Sequence, residues 1–402
     1  MMNSKLLGGI LLVIGTTIGA GMLALPTATA QLGFWGSSIL LISCWAVMTT
    51  CAFLFLEVNL SLPAESNIIS MAGATLGRVG QGVAWVVYLL LLYSIICAYI
   101  SGGGDLFQYL LAIRGIHTSS AVASILFTFI FGLVVYFGIR SVDYVNRGLM
   151  IGKLGALVLL VFLIFPFVSP DKLAMGQLKY ITSPSSITIA AVAFGSLMII
   201  PSLRTYFGED VKSLRKAIFI GTLIPLICYI AWNMVIMGVI PVNGNPGLQQ
   251  MLESANSNSA LVATLSTILH SKVITSLTQF FTSICMATSF LSVSLSLSDF
   301  LADGLRVAKQ GVGNIIVFSG TFLPPIVIVL FYPNAFIRGL TYAGISCFIL
   351  MVLMPPLMVW SGRYYHGTLS QAAYEIPGGK FLLASLVLFA TLMIGVGLEG
   401  II

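Results

Sequence analysis

Gly15-Thr16-Thr17-Ile18-Gly19-Ala20-Gly21-Met22 sits inside an apolar run that extends from residue 6 to residue 31, and Pro26 follows five residues past Gly21. Glycine weakens a helix at such a place, and proline removes a backbone donor. Close helix packing through small residues is one use for the pattern. The other is a helix unwound at mid-membrane depth, whose freed amides and carbonyls face a cavity. A second stretch bears on the choice: Phe194-Gly195-Ser196-Leu197-Met198-Ile199-Ile200-Pro201 again has a glycine mid-run with proline six residues on. Paired interruptions at corresponding places in two halves of a chain point to an inverted-repeat transporter.

That reading needs a bilayer, and the composition supplies the reason. Of 402 residues, 58% are hydrophobic and only 7% are charged, with a mean hydropathy of +1.06. A water-soluble domain carries about 25% charged residues, so the lipid bilayer is the partner this surface is built for. A spanning helix needs about 20 mostly apolar residues. Eleven runs meet that rule, over residues 6–31, 35–58, 83–111, 119–138, 148–168, 187–206, 214–240, 273–300, 312–332, 335–360 and 381–400. They do not alternate residue by residue as barrel strands would. Runs one and six each head a set of five. The expected fold is therefore an all-α membrane protein of eleven transmembrane helices, one domain over residues 1–402. Its inverted repeats cover 6–168 and 187–360, helices 1 and 6 are broken, and 381–400 is an extra helix. Ala28-Thr29-Ala30 looks like a signal-peptide cleavage site, but the length and Gly/Thr-rich centre of the run mark a retained helix.

Basic residues set the expected orientation, because cytoplasmic loops are enriched in Lys and Arg. With the N-terminus inside, Arg114, Lys172, Lys179, Lys272 and Arg338 fall outside, and the other 13 of the 18 basic residues fall inside. An odd number of spans then puts the C-terminus on the far side. The formal charge of +6 is spread thinly along the chain and gives no nucleic-acid surface. The six cysteines fall in apolar runs without a CxxC pair and read as small buried hydrophobes. No P-loop, metal-ligand spacing or catalytic cluster is present, so neither a cofactor nor an enzyme activity is expected.

Four stretches together carry a resemblance. They are Gly-Thr-Thr-Ile-Gly-Ala-Gly-Met-Leu-Ala-Leu-Pro at 15–26, Ala-Tyr-Ile-Ser-Gly-Gly-Gly-Asp at 98–105, Ala-Thr-Ser-Phe-Leu-Ser-Val-Ser-Leu-Ser-Leu-Ser-Asp-Phe-Leu-Ala-Asp at 287–303 and Thr-Phe-Leu-Pro-Pro at 321–325. The chain resembles the bacterial tyrosine/tryptophan-specific permeases of the hydroxy/aromatic amino acid permease family. The resemblance implies a LeuT-type five-plus-five fold with one additional helix and proton-driven uptake of an aromatic amino acid, tyrosine favoured, across the bacterial inner membrane. The permeases it resembles carry an aromatic residue and then His or Gln after the Phe-Gly of the sixth helix. This chain has Ser196 and Leu197 there, which reshapes the pocket and leaves open tryptophan or another neutral amino acid, sodium coupling, or a non-concentrating channel or sensor.

An amino acid substrate brings a carboxylate and an ammonium into low dielectric, and both need partners. Amides of Gly19, Ala20 and Gly21 are expected to meet the carboxylate, because helix N-termini carry partial positive charge. Carbonyls of Thr16, Thr17, Ile18, Phe194 and Gly195 are expected to accept from the ammonium. Phe194 packs on the substrate side chain, Ser196 and Leu197 border it, and Tyr99 closes over it. The resemblance also implies a cation pocket at Thr288 and Ser289 with the carbonyls of Gly15 and Ile18, and Cys285 at the remaining helical position. Lys153 lies about five residues into the fifth run, where an ammonium is costly. Either it substitutes for sodium in that pocket and carries the coupling proton, or it snorkels to the interface. Asp105 is a secondary proton site. Glu57, Asp299 and Asp303 are expected to form gate salt bridges with Arg204 or Arg306.

Overall fold

The computed structural model describes residues 4–64, 66–254, 257–332, 335–369 and 374–400, and among these there are helices and connections but no strand. In chain order the helices are α1 (Ser4–Thr17), α2 (Ala20–Ala28), α3 (Gly33–Leu60), α4 (Ile68–Ile113), α5 (Ser120–Tyr136), α6 (Ile139–Ile164), α7 (Pro170–Ala174), α8 (Pro184–Ala193) and α9 (Ile200–Phe207). They continue with α10 (Val211–Val239), α11 (Leu248–Glu253), α12 (Ser257–Leu269), α13 (Lys272–Leu305), α14 (Gly311–Phe331), α15 (Ala335–Cys347), α16 (Met354–Tyr364) and α17 (Gly379–Glu399).

Helices lie over all eleven expected runs, but not all of them meet the requirement for a span. Among the described residues nine are long and apolar enough, and the bent pair α1 and α2 makes up to ten. α5, with 17 residues, is the one that falls short. At about 1.5 Å per residue it extends about 25 Å, against a hydrocarbon core of about 30 Å. The boundaries differ in three informative places. The third run is expected to start at residue 83, whereas α4 begins at Ile68 and kinks at Gly77, whose φ of 72° is open to glycine at little cost. The fifth is expected from 148, whereas α6 begins nine residues earlier, at Ile139, through Arg140, Asp143 and Asn146 that a hydropathy window excludes. The sixth is two pieces, α8 and α9, separated at the Phe-Gly.

Packing organises the chain around those interruptions. α1 lies along α10, α2 meets α8, α6 lies along α13, and α4 lies against α13 and α15. Large apolar side chains such as Phe162, Phe331 and Phe381 are exposed on the outer faces, where lipid, not water, is the matching solvent. The two ends of the bundle are distinguishable. Lys5 donates to the carbonyl of Phe207 at 3.4 Å, so α1 starts where α9 ends; Asp105 and α12 mark the opposite end.

Candidate functional site

The first interruption is a two-residue gap. α1 stops at Thr17 and α2 starts at Ala20, with their axes bent by 53°. Gly19 is extended, with φ −152° and ψ −156°, so backbone strain is not the reason for a glycine. The reason is space: a Cβ there would run into the Ser289 hydroxyl. That hydroxyl accepts from the Ala20 amide at 2.9 Å. Gly21 brings α2 close to the end of α8, with Ala193 Cα 3.5 Å from where a Cβ would sit.

The second interruption is longer. α8 ends at Ala193, the Gly195 amide bonds Val192 O at 3.0 Å, and the Ser196 amide reaches Phe194 O at 2.7 Å. A 3₁₀ turn over Leu197–Ile199 follows, and α9 begins with Pro201 in its first turn, where a missing N–H costs nothing. Gly195 and Ser196 face the cavity described below. Phe194 and Leu197 do not. Both line a small recess behind the break with Met48, Thr49, Ala52 and Thr222, and the Phe194 ring lies tilted against Tyr229 at 5.2 Å. The expectations that Phe194 packs on a substrate and that Leu197 borders it are not met by their positions, because the break turns the two side chains away from the cavity.

Tyr229 of α10 is the residue the sequence reading missed. Its hydroxyl lies 2.7 Å from Thr17 O and 2.7 Å from Ala193 O, the last residues of the two half-helices. A phenol has one proton to donate, so it serves one of these carbonyls at a time. The signal for it is a polar stripe at helical spacing on α10, Tyr229, Trp232 and Asn233, buried in an otherwise apolar span.

Between the two breaks lies a cavity of about 340 Å³. Its walls are the first break (Gly15, Thr16, Thr17, Gly19, Gly21), the second break and its flanks (Val192, Ala193, Gly195, Ser196, Met198, Ile199, Ser202), an apolar and aromatic face of α4 (Tyr88, Leu91, Leu92, Ile95, Tyr99) and a largely hydroxyl face of α13 (Thr288, Ser289, Ser292, Val293, Ser296), with Met351 from the helix before α16. No charged side chain lines it. Thr16, Ser202, Ser292 and Ser296 lie on the Lys5 side of the breaks and are exposed, whereas Tyr99 and the Gly102-Gly103-Gly104 segment on the Asp105 side are buried. The cavity is thus reached from the Lys5 end.

Among the residues expected to form an ion pocket, Lys153 meets the Ile18 carbonyl. Lys153 is 2% exposed and donates to Ile18 O at 2.6 Å. It stands 14 residues into α6, about 21 Å along the helix, and does not snorkel. Thr288 spends its proton on Ile284 O at 2.8 Å within its own helix, keeping its lone pairs for accepting. Cys285 is buried one turn away and does not reach the cavity. Gly15 faces Met150, whose Cε occupies the space a Cβ would need.

The carboxylates have other partners than expected. Glu57 does not meet Arg204 or Arg306. Arg363 holds it in a bidentate pair at 2.6 and 2.6 Å, and the Ile376 amide adds a third bond at 3.0 Å. Arg204 caps the end of α3 by donating to Asn59 O and Leu62 O. Asp299 pairs with Lys309 at 2.5 Å, and Asp303 is exposed on the last turn of α13, which Arg306 ends with a left-handed φ of 55°. Asp105 accepts from the Ser259 amide at 2.9 Å and the Ser259 hydroxyl at 2.5 Å. It thereby caps the first turn of α12, where an anion suits the helix N-terminus, far from Lys153. Among the described residues no cluster of His, Cys, Asp and Glu could hold a metal.

Residues 2–397 match the family model described as the tryptophan/tyrosine permease family. The chain belongs to that family. A protein named tyrosine-specific transport system 1, from Haemophilus influenzae, is 36% identical over 97% of this permease and 96% of its own length. A tryptophan-specific transport protein of the same organism is 31% identical over 98% and 95%. Glutamine transporter 2 of Aliivibrio fischeri is 30% identical over 98% and 99%. The permease is a multi-pass membrane protein and a transporter, not an enzyme.

Proposed function

We propose that the permease imports an aromatic amino acid, tyrosine favoured, by proton symport across the inner membrane, binding it in the cavity between the two breaks and working by alternating access. The observation that carries this reading is the match between the cavity walls and the three parts of such a substrate. Backbone groups of the breaks suit the ammonium and carboxylate. The α4 face suits a ring, and the α13 hydroxyls suit a phenolic tip. The relatives named for tyrosine and tryptophan transport support the substrate class.

The remaining parts of the reading extend it. The fold is taken as eleven spans in a LeuT-type five-plus-five arrangement, repeats 6–168 and 187–360, with α5 as a short span and α17 added. The N-terminus is cytoplasmic and the C-terminus periplasmic, so the cavity faces inward in this state. Coupling runs through Lys153, whose ammonium substitutes for sodium in the pocket of Thr288 and Ser289; its hydrogen bond to Ile18 O at the first break supports this reading. Asp105, which caps α12, is the secondary proton site. Glu57, Asp299 and Asp303 act at the cytoplasmic gate. The relative named for glutamine and the hydroxyl face of α13 favour one second reading, an amide side chain in the same cavity.

The test is uptake of labelled tyrosine into proteoliposomes under an inward proton gradient without sodium, competed by tryptophan, phenylalanine, glutamine, serine and leucine. Proton-driven accumulation blocked best by the aromatics is the expected result. Accumulation only with sodium, no accumulation against a gradient, or competition confined to glutamine or the small neutral amino acids overturns it.

A further inference from the structure

The span expected at 335–360 is not a uniform helix. α15 stops at Cys347, residues Phe348–Leu353 wind as a π-helix, and α16 resumes at Met354 with Pro355 and Pro356 in its first turn. The cause is in the two prolines. In an α-helix the amides of residues 355 and 356 would serve the carbonyls of Met351 and Val352 four residues earlier, and proline has no N–H to offer. The Val352 carbonyl is taken instead by the Cys51 thiol at 3.7 Å. Widening the turn shifts the face that this segment presents, and single π turns of this kind recur at functional sites. Met351 is the residue of the span that lines the cavity. It is 3% exposed, and its Cε and Sδ lie 3.7 and 3.8 Å from where a Cβ on Gly195 would sit. The thioether is thus in ordinary contact range of the second break, where the tighter neighbour of that Cβ position is Val192 O at 3.0 Å.

We infer that Met351 is a specificity-determining residue: the wall against which the ring of an aromatic amino acid packs, presented by the π turn that Pro355 and Pro356 impose. The inference rests on the reading of the cavity as an aromatic amino acid site. The physical argument is one of shape and softness. Apolar contact near the breaks comes from Val192, Met198 and Ile199 of the second break, Val293 of α13, the α4 face and Met351, and of these Met351 alone is carried by the widened turn. A thioether is polarisable, has no fixed shape and makes favourable contacts with ring edges, which suits a pocket that accepts a ring without a rigid slot. Ser196, on the neighbouring break, brings a small side chain to the same cavity, so Met351 is among the larger side chains that bound the volume available to the ring.

The experiment compares the wild-type permease with Met351→Ala, Met351→Leu and Met351→Phe in proteoliposomes, reading the ratio of tryptophan to tyrosine inhibition of labelled tyrosine uptake. Truncation to alanine is expected to shift that ratio about tenfold toward the indole. The leucine variant, close in volume, is expected to stay within about threefold of wild type, and the phenylalanine variant is expected to disfavour the indole most. Wild-type ratios in both Met351→Ala and Met351→Phe overturn the inference. If Met351→Ala does not fold, Met351→Phe against Met351→Leu decides it by the same ratio. A wild-type protein that neither takes up nor binds an aromatic amino acid refutes the parent reading instead, whatever the variants do.

Discussion

The ammonium of Lys153 lies 2.6 Å from the carbonyl oxygen of Ile18, the residue at which the first span leaves the helix. A charge held on a backbone carbonyl inside the bundle binds differently when the break moves, which is what coupling demands. Lys153→Gln keeps a donor and removes the charge. It is expected to lower proton-driven accumulation at least tenfold while leaving exchange of labelled for unlabelled substrate measurable. Accumulation at the wild-type level would show that the proton travels elsewhere.

Gly19 and Ser289 form a steric pair that a double-mutant cycle can resolve. Gly19→Ala drives a methyl into the Ser289 hydroxyl, displaces it from the Ala20 amide and is expected to weaken substrate binding at least tenfold. In a Ser289→Ala background the same change meets a smaller neighbour and is expected to cost clearly less. Isothermal titration of the four proteins checks this, and equal costs in both backgrounds would mean that the two residues act independently.

Tyr229→Phe removes the donor shared by Thr17 O and Ala193 O and leaves the ring packed. Losing a partner for buried acceptors costs about 1–3 kcal/mol. The expected outcome is a lower unfolding temperature together with a fall in affinity of between about fivefold and a hundredfold. A variant that binds as tightly as wild type would show that the hydroxyl does not hold the breaks in place.

Glu57 and Arg363 are 1% and 8% exposed, and removing Glu57 leaves the guanidinium with the exposed Glu375 carboxylate at 3.1 Å as its remaining ion-pair partner. Glu57→Ala is expected to destabilise the protein by about 3–5 kcal/mol. Glu57→Leu with Arg363→Met, apolar at both positions, is expected to lose much less. Thermal unfolding in detergent distinguishes the two, and similar losses would assign the effect to packing.

Much of this architecture was legible in the chain because interruption is a local property. Glycines followed by a proline located both breaks, and hydropathy located the eleven apolar runs but not the short helices α7, α11 and α12 between them. What escaped was either long-range or geometric. The partner of Glu57 lies 306 residues away, and no spacing rule links them. Lys153 was read as shallow because polar residues at the start of α6 hid the first two turns. The α15–α16 span read as one helix because two adjacent prolines near its end predict an interruption but not which side chain the widened turn presents. The role of Tyr229 exists only where two distant chain ends meet.

Tyr229 also sets a balance at the breaks. Two carbonyl ends share one phenolic proton, so the half-helix ends offer one more acceptor than Tyr229 can serve at a time. An amino acid arrives with three on its ammonium and settles that deficit on entry. A carboxylate of the same shape without the amine lacks those three, so recognition of the backbone part of the substrate is written into an imbalance between donors and acceptors and not into any charged side chain lining the cavity.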